Sequence, residues 1–222
     1  MKRLNREKIL SNRYNHLLIA EIAIIASIPF LRALQTRFPI VSLILLLAIM
    51  PALRVVLSKK AFMPLMTLGA LGFLLEIIFR YNKFPQAENI QLFVLVLYAI
   101  FFALAIVILI KKMMERKVIT ADTIKGGISI YFLIGLLWMI FYALASNINS
   151  DSISIVGNNI VDFFYFSYTT LTTLGYGDIT PEGDLVKLLA IAEAFIGQIY
   201  LAIFIAQLVG LGIAQKLLKN QD

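Results

Sequence analysis

The segment from Thr172 to Asp178 holds the residues of this sequence whose types and spacing best suit chemistry. It reads Thr-Thr-Leu-Gly-Tyr-Gly-Asp, so that Gly175 and Gly177 are separated by one residue. Successive backbone carbonyls face the same side only if the chain alternates between ordinary and left-handed conformations, and glycine adopts the latter without a Cβ clash. Carbonyl oxygens held in this way replace the water shell of a cation. The segment therefore indicates ion binding by the backbone.

The composition indicates a membrane protein. Of 222 residues, 60% are hydrophobic and only 15% are charged, and the mean hydropathy is +0.88. The net charge of +7 does not indicate nucleic acid, because the basic residues lie in short clusters beside apolar segments. With no cysteine in the chain, a disulfide framework and a thiolate metal site are excluded. No nucleophile, base and metal set converges in the sequence, so an enzyme is not expected.

Six segments are apolar enough to cross a bilayer, which requires ~20 residues. Of the Lys and Arg residues, five lie before the first span and three lie in the loop from Arg54 to Lys60. Five more lie between Lys111 and Lys125, and two lie after the last span. Because these fifteen of twenty share alternate loops, the positive-inside rule predicts that both termini are cytoplasmic. The basic start is interpreted as a retained first span rather than a secretory signal. The predicted spans are His16 to Leu34, Val41 to Leu57, Ala61 to Arg80, Ile90 to Ile110, Ile128 to Ala145 and Val186 to Gly212.

The stretch between the last two spans, Ser146 to Leu185, is too long for a tight turn and too apolar for a solvated loop. Val161 to Thr172 is predicted to form a short helix that dips into the membrane, with Asp162 in its first turn where a negative charge suits the helix dipole. Non-helical backbone at membrane depth is tolerated only where protein buries it or where it lines a watery path. We therefore expect Leu174 to Gly177 to line a pore.

These residues resemble the signature of the potassium channel superfamily, with Leu174 where valine or isoleucine is commoner. The resemblance extends roughly from Ile128 to Ala214. It implies that K⁺, the only bound species expected, is held by the carbonyls of four residues and by the Thr173 hydroxyl. It further implies that Tyr176 points outward against Tyr165 and Phe166. The implied filter is Thr173, Leu174, Gly175, Tyr176 and Gly177, supported by Thr172, Asp178, Tyr165, Phe166 and Glu193.

One chain supplies one such loop, so four copies must meet around an axis, and a homotetramer is predicted. Some relatives carry a glutamate at the position of Thr169, able to share a proton with Asp178. That carboxyl pair is impossible here, and Thr169 offers one hydroxyl hydrogen bond instead. Filter inactivation stays open at this point.

The last span contains three further candidates. Gly197 lies nineteen residues after Asp178, where related channels place a gating hinge, but a glycine also admits close helix packing. Glu193 lies inside an apolar helix and must be protonated, paired or near water, and we expect it to support the short helix. Its replacement by Gln is expected to alter gating or the pH response while selectivity is kept. An apolar inner constriction is predicted at Leu201, Ile205 and Val209, with lipid or neighbour contact as the alternative.

The predicted fold is an all-α membrane protein with six transmembrane helices plus a re-entrant pore helix and filter loop, assembled as a tetramer. Residues 1–125 are predicted to form a four-helix peripheral domain and residues 126–222 the pore domain. Voltage sensing requires several basic residues within the fourth span, and every residue from Gln91 to Ile110 is uncharged. The sequence also predicts no soluble ligand-binding domain.

These features predict a potassium-selective channel that conducts passively, without strong voltage gating, in a prokaryotic inner membrane. A nonselective cation pore is the nearest alternative, which Tyr176 between two glycines disfavours. An ion-coupled transporter is a second alternative, but it should show two related halves with broken helices. A regulatory subunit of another channel is the third.

Overall fold

A computed structural model describes residues 14–33, 42–43, 46–47, 49–50, 53–54, 57–81, 87–115, 118–154 and 160–219. The regular secondary structure of these ranges is helical, apart from one isolated antiparallel bridge between Ile153 and Pro181, and these ranges contain no longer strand. The predicted all-α class is therefore confirmed. The helices are α1 (Asn15–Ala33), α2 (Lys59–Tyr81), α3 (Ala87–Met114), α4 (Ala121–Ile148), α5 (Ile160–Leu171) and α6 (Asp184–Lys219).

Four helices of the described ranges are long and apolar enough to cross a membrane. They correspond to the third, fourth, fifth and sixth predicted spans. Helix α1 contains a shorter apolar stretch, Asn15–Ser27. The second predicted span, Val41 to Leu57, is described only in part, so the total of six spans stays a prediction. The four segments are Lys59–Ile78, Ile90–Met114, Ala121–Ile148 and Asp184–Leu218.

Helix α4 begins earlier than the apolar pattern predicts, because Thr120 caps it. The Thr120 hydroxyl accepts from the Thr123 amide, and the Thr123 hydroxyl accepts from the Thr120 amide, both at 3.3 Å. This reciprocal capping box satisfies helix-end donors that would otherwise lack partners. The helix consequently runs unbroken across the domain boundary predicted between residues 125 and 126. The division into two domains itself stays a prediction.

Helix α4 is the central element of the fold, since α1, α3, α5 and α6 all pack against it, whereas α2 packs on α3. Two glycines of α4 admit aromatic rings at very short range. A Cβ at Gly127 would lie 2.0 Å from the ring of Phe204 on α6, and one at Gly135 would lie 2.7 Å from the ring of Tyr168 on α5. A larger residue at either position would require the facing ring to move, so these glycines allow the rings of Phe204 and Tyr168 to pack directly on the α4 backbone.

A candidate ion-conducting filter

The chain that follows α5 is tied to the end of that helix by its own amides. The amides of Leu174 and Gly175 both donate to the Thr169 carbonyl, at 2.8 and 3.1 Å. A helix end leaves its last carbonyls without helical partners, and here the filter supplies the donors. Leu174 and Gly175 are thereby fixed relative to α5. Two further bonds of the same kind run from Thr172 to Tyr168, at 3.1 Å, and from Thr173 to Thr170, at 2.9 Å.

Left-handed backbone recurs at every second residue of this segment. The φ angles are +59° at Thr173, +51° at Gly175 and +82° at Gly177, and no other described residue has a positive φ. A Cβ at either glycine would meet nothing within 4 Å in the subunit, so conformation rather than space selects glycine there. The alternation is the one that the sequence predicts, except that Thr173 also adopts it. For a residue other than glycine this costs roughly 1–2 kcal/mol.

Tyr165 of α5 supports the outer half of the segment. Its hydroxyl donates to the carboxylate of Asp178, whose two oxygens lie at 3.0 and 2.8 Å, and this bond raises the pKa of Tyr165 above its ordinary value. Its ring stacks on that of Tyr176, with centroids 6.5 Å apart and an interplanar angle of 4°. Phe166 is placed differently: it is buried and packs on Tyr142 of α4, at 4.7 Å between centroids. Phe166 thus packs between α5 and α4.

Two threonine hydroxyls of this region bond back to α5. Thr172 Oγ donates to the Tyr168 carbonyl at 2.6 Å. Thr169 Oγ lies 3.0 Å from the carbonyls of both Tyr165 and Phe166. The one hydroxyl that Thr169 offers in place of a carboxyl is therefore directed to its own helix.

Glu193 joins three helices through its carboxyl group. It is fully buried on α6, where its Oε1 lies 2.6 Å from the hydroxyl of Ser167 on α5. Its Oε2 accepts from the Tyr142 hydroxyl at 2.5 Å, and Ser167 Oγ also lies 2.8 Å from the Gly135 carbonyl. Because Ser167 has one hydroxyl hydrogen, it donates to only one of these two acceptors. A protonated Glu193 satisfies every group, since it donates to Ser167 while Ser167 donates to Gly135.

Sequence reasoning missed a set of tyrosines and one serine that hold α5 between α4 and α6. Tyr131 donates to the Leu171 carbonyl at 3.0 Å, at the end of α5. The signal was present, because a tyrosine within an apolar span requires a partner for its hydroxyl. The other members are Tyr142 and Ser167, already described, and Tyr168 and Tyr200, which donate to the carbonyls of Phe132 and Gly127, each at 2.7 Å.

The candidates on α6 lie on different surfaces. A Cβ at Gly197 would be 2.5 Å from the Leu171 carbonyl oxygen, so this glycine lets α6 touch the end of α5. Helix α6 is continuous through Gly197, and a hinge there stays a prediction. Ile205 and Val209 are each 57% exposed in the single subunit, and Leu201 is partly exposed. These three are available to a pore or to neighbouring subunits, but their place in a gate stays a prediction.

The chain that follows the filter is hydrogen-bonded to the turn that follows α4. The amides of Glu182 and Gly183 both donate to the Ser152 carbonyl, at 2.9 and 3.0 Å. Ser154 donates its amide to the Thr180 carbonyl at 3.0 Å and accepts the Thr180 amide at 2.7 Å on its hydroxyl. Both ends of the filter are thus anchored within the subunit. Among the described residues, no group of three or more His, Cys, Asp and Glu side chains is placed to hold a metal ion.

Comparison with known proteins supports this interpretation of the site. Residues 127–212 match the family described as "Ion channel". The chain is 37% identical over 93 residues to "Two pore potassium channel a" of Oryza sativa subsp. japonica, a match covering 42% of this chain and 24% of that protein. It is 56% identical over 34 residues to the "Hyperpolarization-activated voltage-gated potassium channel" of Methanocaldococcus jannaschii, covering 15% of this chain and 16% of that protein. No solved structure matches the chain.

The match over residues 127–212, the four membrane-capable helices and the geometry of the loop after α5 are features of the pore segment of membrane ion channels rather than of an enzyme. Within that class, the matched segments are similar to curated potassium channels. The matched segment spans about a quarter of the length of the rice relative.

Proposed function

We propose that this chain is a subunit of a channel that conducts K⁺ selectively and passively across a membrane. The observation that carries the proposal is the positive φ at Thr173, Gly175 and Gly177. Alternation of this kind directs successive carbonyl oxygens to one side, where they replace the hydration shell of K⁺. In this proposal the carbonyls of Thr173, Leu174, Gly175 and Tyr176 bind the ion, together with the Thr173 hydroxyl. The names of the rice and archaeal relatives support potassium as the ion.

A homotetramer follows mechanically from the proposal. One filter strand surrounds only a fraction of an ion, so a closed ring requires further copies. Leu174 and Tyr176 are 54% and 70% exposed in the subunit. Only 17% of the most apolar stretch of α6 is buried. These uncovered surfaces suit contacts between copies and a central path. In the assembled ring Tyr176 would pack against neighbouring subunits as well as against Tyr165.

The proposed channel is not strongly voltage-gated. The basic residues of α3, Lys111 and Lys112, lie in its last turn, at the end of the membrane-capable segment Ile90–Met114. One charge moved across the membrane contributes ~2.3 kcal/mol per 100 mV, and α3 places none where it would cross. Both termini are proposed to be cytoplasmic. The relatives come from plants, Plasmodium and an archaeon, so a prokaryotic inner membrane stays a prediction that these names do not support.

The deciding experiment is a reversal potential in a planar bilayer that contains the purified protein, with K⁺ on one side and Na⁺ on the other. We expect reversal close to the potassium equilibrium potential and an open probability that changes little between voltage steps. Clear current that reverses near zero would mean a nonselective pore. A steep change of open probability with voltage would contradict the absence of a sensor in α3.

A further inference from the structure

Helix α1 places the carboxyl group of Glu21 against α4, the helix whose Tyr131 and Tyr142 hydrogen bond to α5 and α6. Tyr14, Leu17, Glu21 and Ile24 recur at helical spacing, and all four are at most 5% exposed. This stripe faces α4, which is the helix that α1 packs against. Glu21 therefore lies in the middle of an otherwise apolar contact, at 2% exposure.

The carboxyl group of Glu21 has no hydrogen-bond partner among the residues that the structure describes. Neither Oε1 nor Oε2 has one, and the facing Ser129 of α4, itself fully buried, has no partner for its Oγ in hydrogen-bonding geometry. A carboxylate without a counter-charge is costly in such surroundings, whereas a neutral carboxyl is tolerated there. Glu21 and Ser129 thus face each other closely enough to interact but without a hydrogen bond of good geometry, which is unusual for buried polar groups in a folded protein.

Among the described residues, the charged and titratable groups around Glu21 provide no counter-charge. On α4, the cation Lys125 donates to Asn15 at the start of α1, at 3.0 Å, and Asp122 accepts from the Tyr14 amide at 2.9 Å. On α5 and α6 the groups within electrostatic reach are the hydroxyls of Tyr168 and Tyr200. The field of Glu193 also reaches Tyr168, so this tyrosine is within electrostatic reach of both buried carboxyls.

We propose that Glu21 and Ser129 form an intramembrane proton-binding site that couples the docking of α1 to the state of the pore. With the proton bound, the neutral carboxyl remains in the α1–α4 contact. When the proton leaves, the carboxylate must reach water or a cation, and α1 separates from α4. Tyr168 and Tyr200, which hold α5 and α6 to α4, then experience a different field and packing. The site thus gives α1 a function beyond the conduction proposed above.

The first test measures the proton itself and does not depend on ion conduction. Infrared difference spectra of the reconstituted full-length protein are recorded between neutral and alkaline pH, for the wild type and for Glu21→Gln. Because the buried carboxyl of Glu193 is present in both proteins, the signal of Glu21 is the wild-type spectrum minus that of the variant. We expect this difference to contain a protonated-carboxyl C=O band at neutral pH that declines as the pH rises. If the wild-type and variant bands coincide, Glu21 is ionised at neutral pH or holds a metal cation, and the proposal is wrong.

The second test measures coupling to the pore. Single-channel open probability is recorded against pH for the wild type, Glu21→Gln, Glu21→Leu and Glu193→Gln, the last of which removes the other buried carboxyl. One coupled proton per subunit limits the change of the docking equilibrium to tenfold per pH unit. We expect both permanently neutral variants at Glu21 to lose this pH dependence, while Glu193→Gln keeps the component that arises from Glu21. An unchanged pH dependence in Glu21→Gln and Glu21→Leu would overturn the coupling.

Discussion

Replacing Gly177 by alanine tests whether backbone conformation, rather than side-chain chemistry, makes this filter. The φ of Gly177 is +82°, and an added Cβ meets no atom within 4 Å in the subunit. The expected penalty therefore comes from the left-handed backbone alone, at roughly 1–2 kcal/mol per copy. Four copies in the proposed tetramer give ~4–8 kcal/mol, and each ~1.4 kcal/mol is a factor of ten. The population of intact filters is expected to fall by roughly a thousandfold or more.

The matched control is Gly210→Ala. Gly210 lies in helix α6 without a positive φ, and a Cβ there also meets nothing within 4 Å. Both variants add one methyl group to open space, but only Gly177→Ala forces an alanine into a left-handed conformation. We expect K⁺ conductance or K⁺ over Na⁺ selectivity to be lost in Gly177→Ala and kept in Gly210→Ala, with both proteins tetrameric by size-exclusion chromatography. Wild-type conductance and selectivity in Gly177→Ala would refute the reasoning.

Three further substitutions test the supports of the filter. Tyr165→Phe removes the hydrogen bond to Asp178, worth about 0.5–1.5 kcal/mol, and we expect faster loss of current during sustained conduction with an unchanged reversal potential; an identical time course would contradict this role. Gly197→Ala places a Cβ 2.5 Å from the Leu171 carbonyl oxygen, so the free energy of unfolding should fall by about 1–3 kcal/mol. An unaltered melting temperature would mean that α6 shifts freely to make room. Tyr142→Phe and Glu193→Gln should each cost about 0.6 to 1.7 kcal/mol, and less together than their sum in a double-mutant cycle; simple additivity would show that the two side chains do not interact.

The sequence predicts the helices of this fold well wherever apolar length decides them. The structure places α2 and α3 within a few residues of the predicted third and fourth spans. Helices α4 and α6 are longer than predicted, because their ends are polar and hydropathy does not register a cap such as Thr120. The start of α4 depends on the capping box of Thr120 and Thr123, and a prediction based on apolar residues alone does not detect such a polar interaction.

For the candidate site, the part that depends on backbone conformation is predictable and the part that depends on distant contacts is not. Two glycines one residue apart predict alternation at Gly175 and Gly177, which is what the φ angles show. The partners of the tyrosine hydroxyls lie far away in the chain: Tyr131 bonds Leu171 forty residues on, and Tyr142 bonds Glu193 fifty-one residues on. Periodicity indicates that such side chains are buried, but it cannot choose among the many backbone carbonyls that would satisfy them.

The hydrogen bonds around α5 also explain why a change elsewhere in the subunit would reach the filter. The last four carbonyls of α5 are all engaged, three by amides from the segment 172–175 and the fourth, that of Leu171, by Tyr131 of α4. Moving α4 relative to α5 would therefore break a bond at the point where the filter begins. Helix α1 packs on the same α4 through the stripe that contains Glu21. Because α4 contacts both elements, the docking of α1 and the position of the filter are not independent, and a proton at Glu21 acts on the pore through α4.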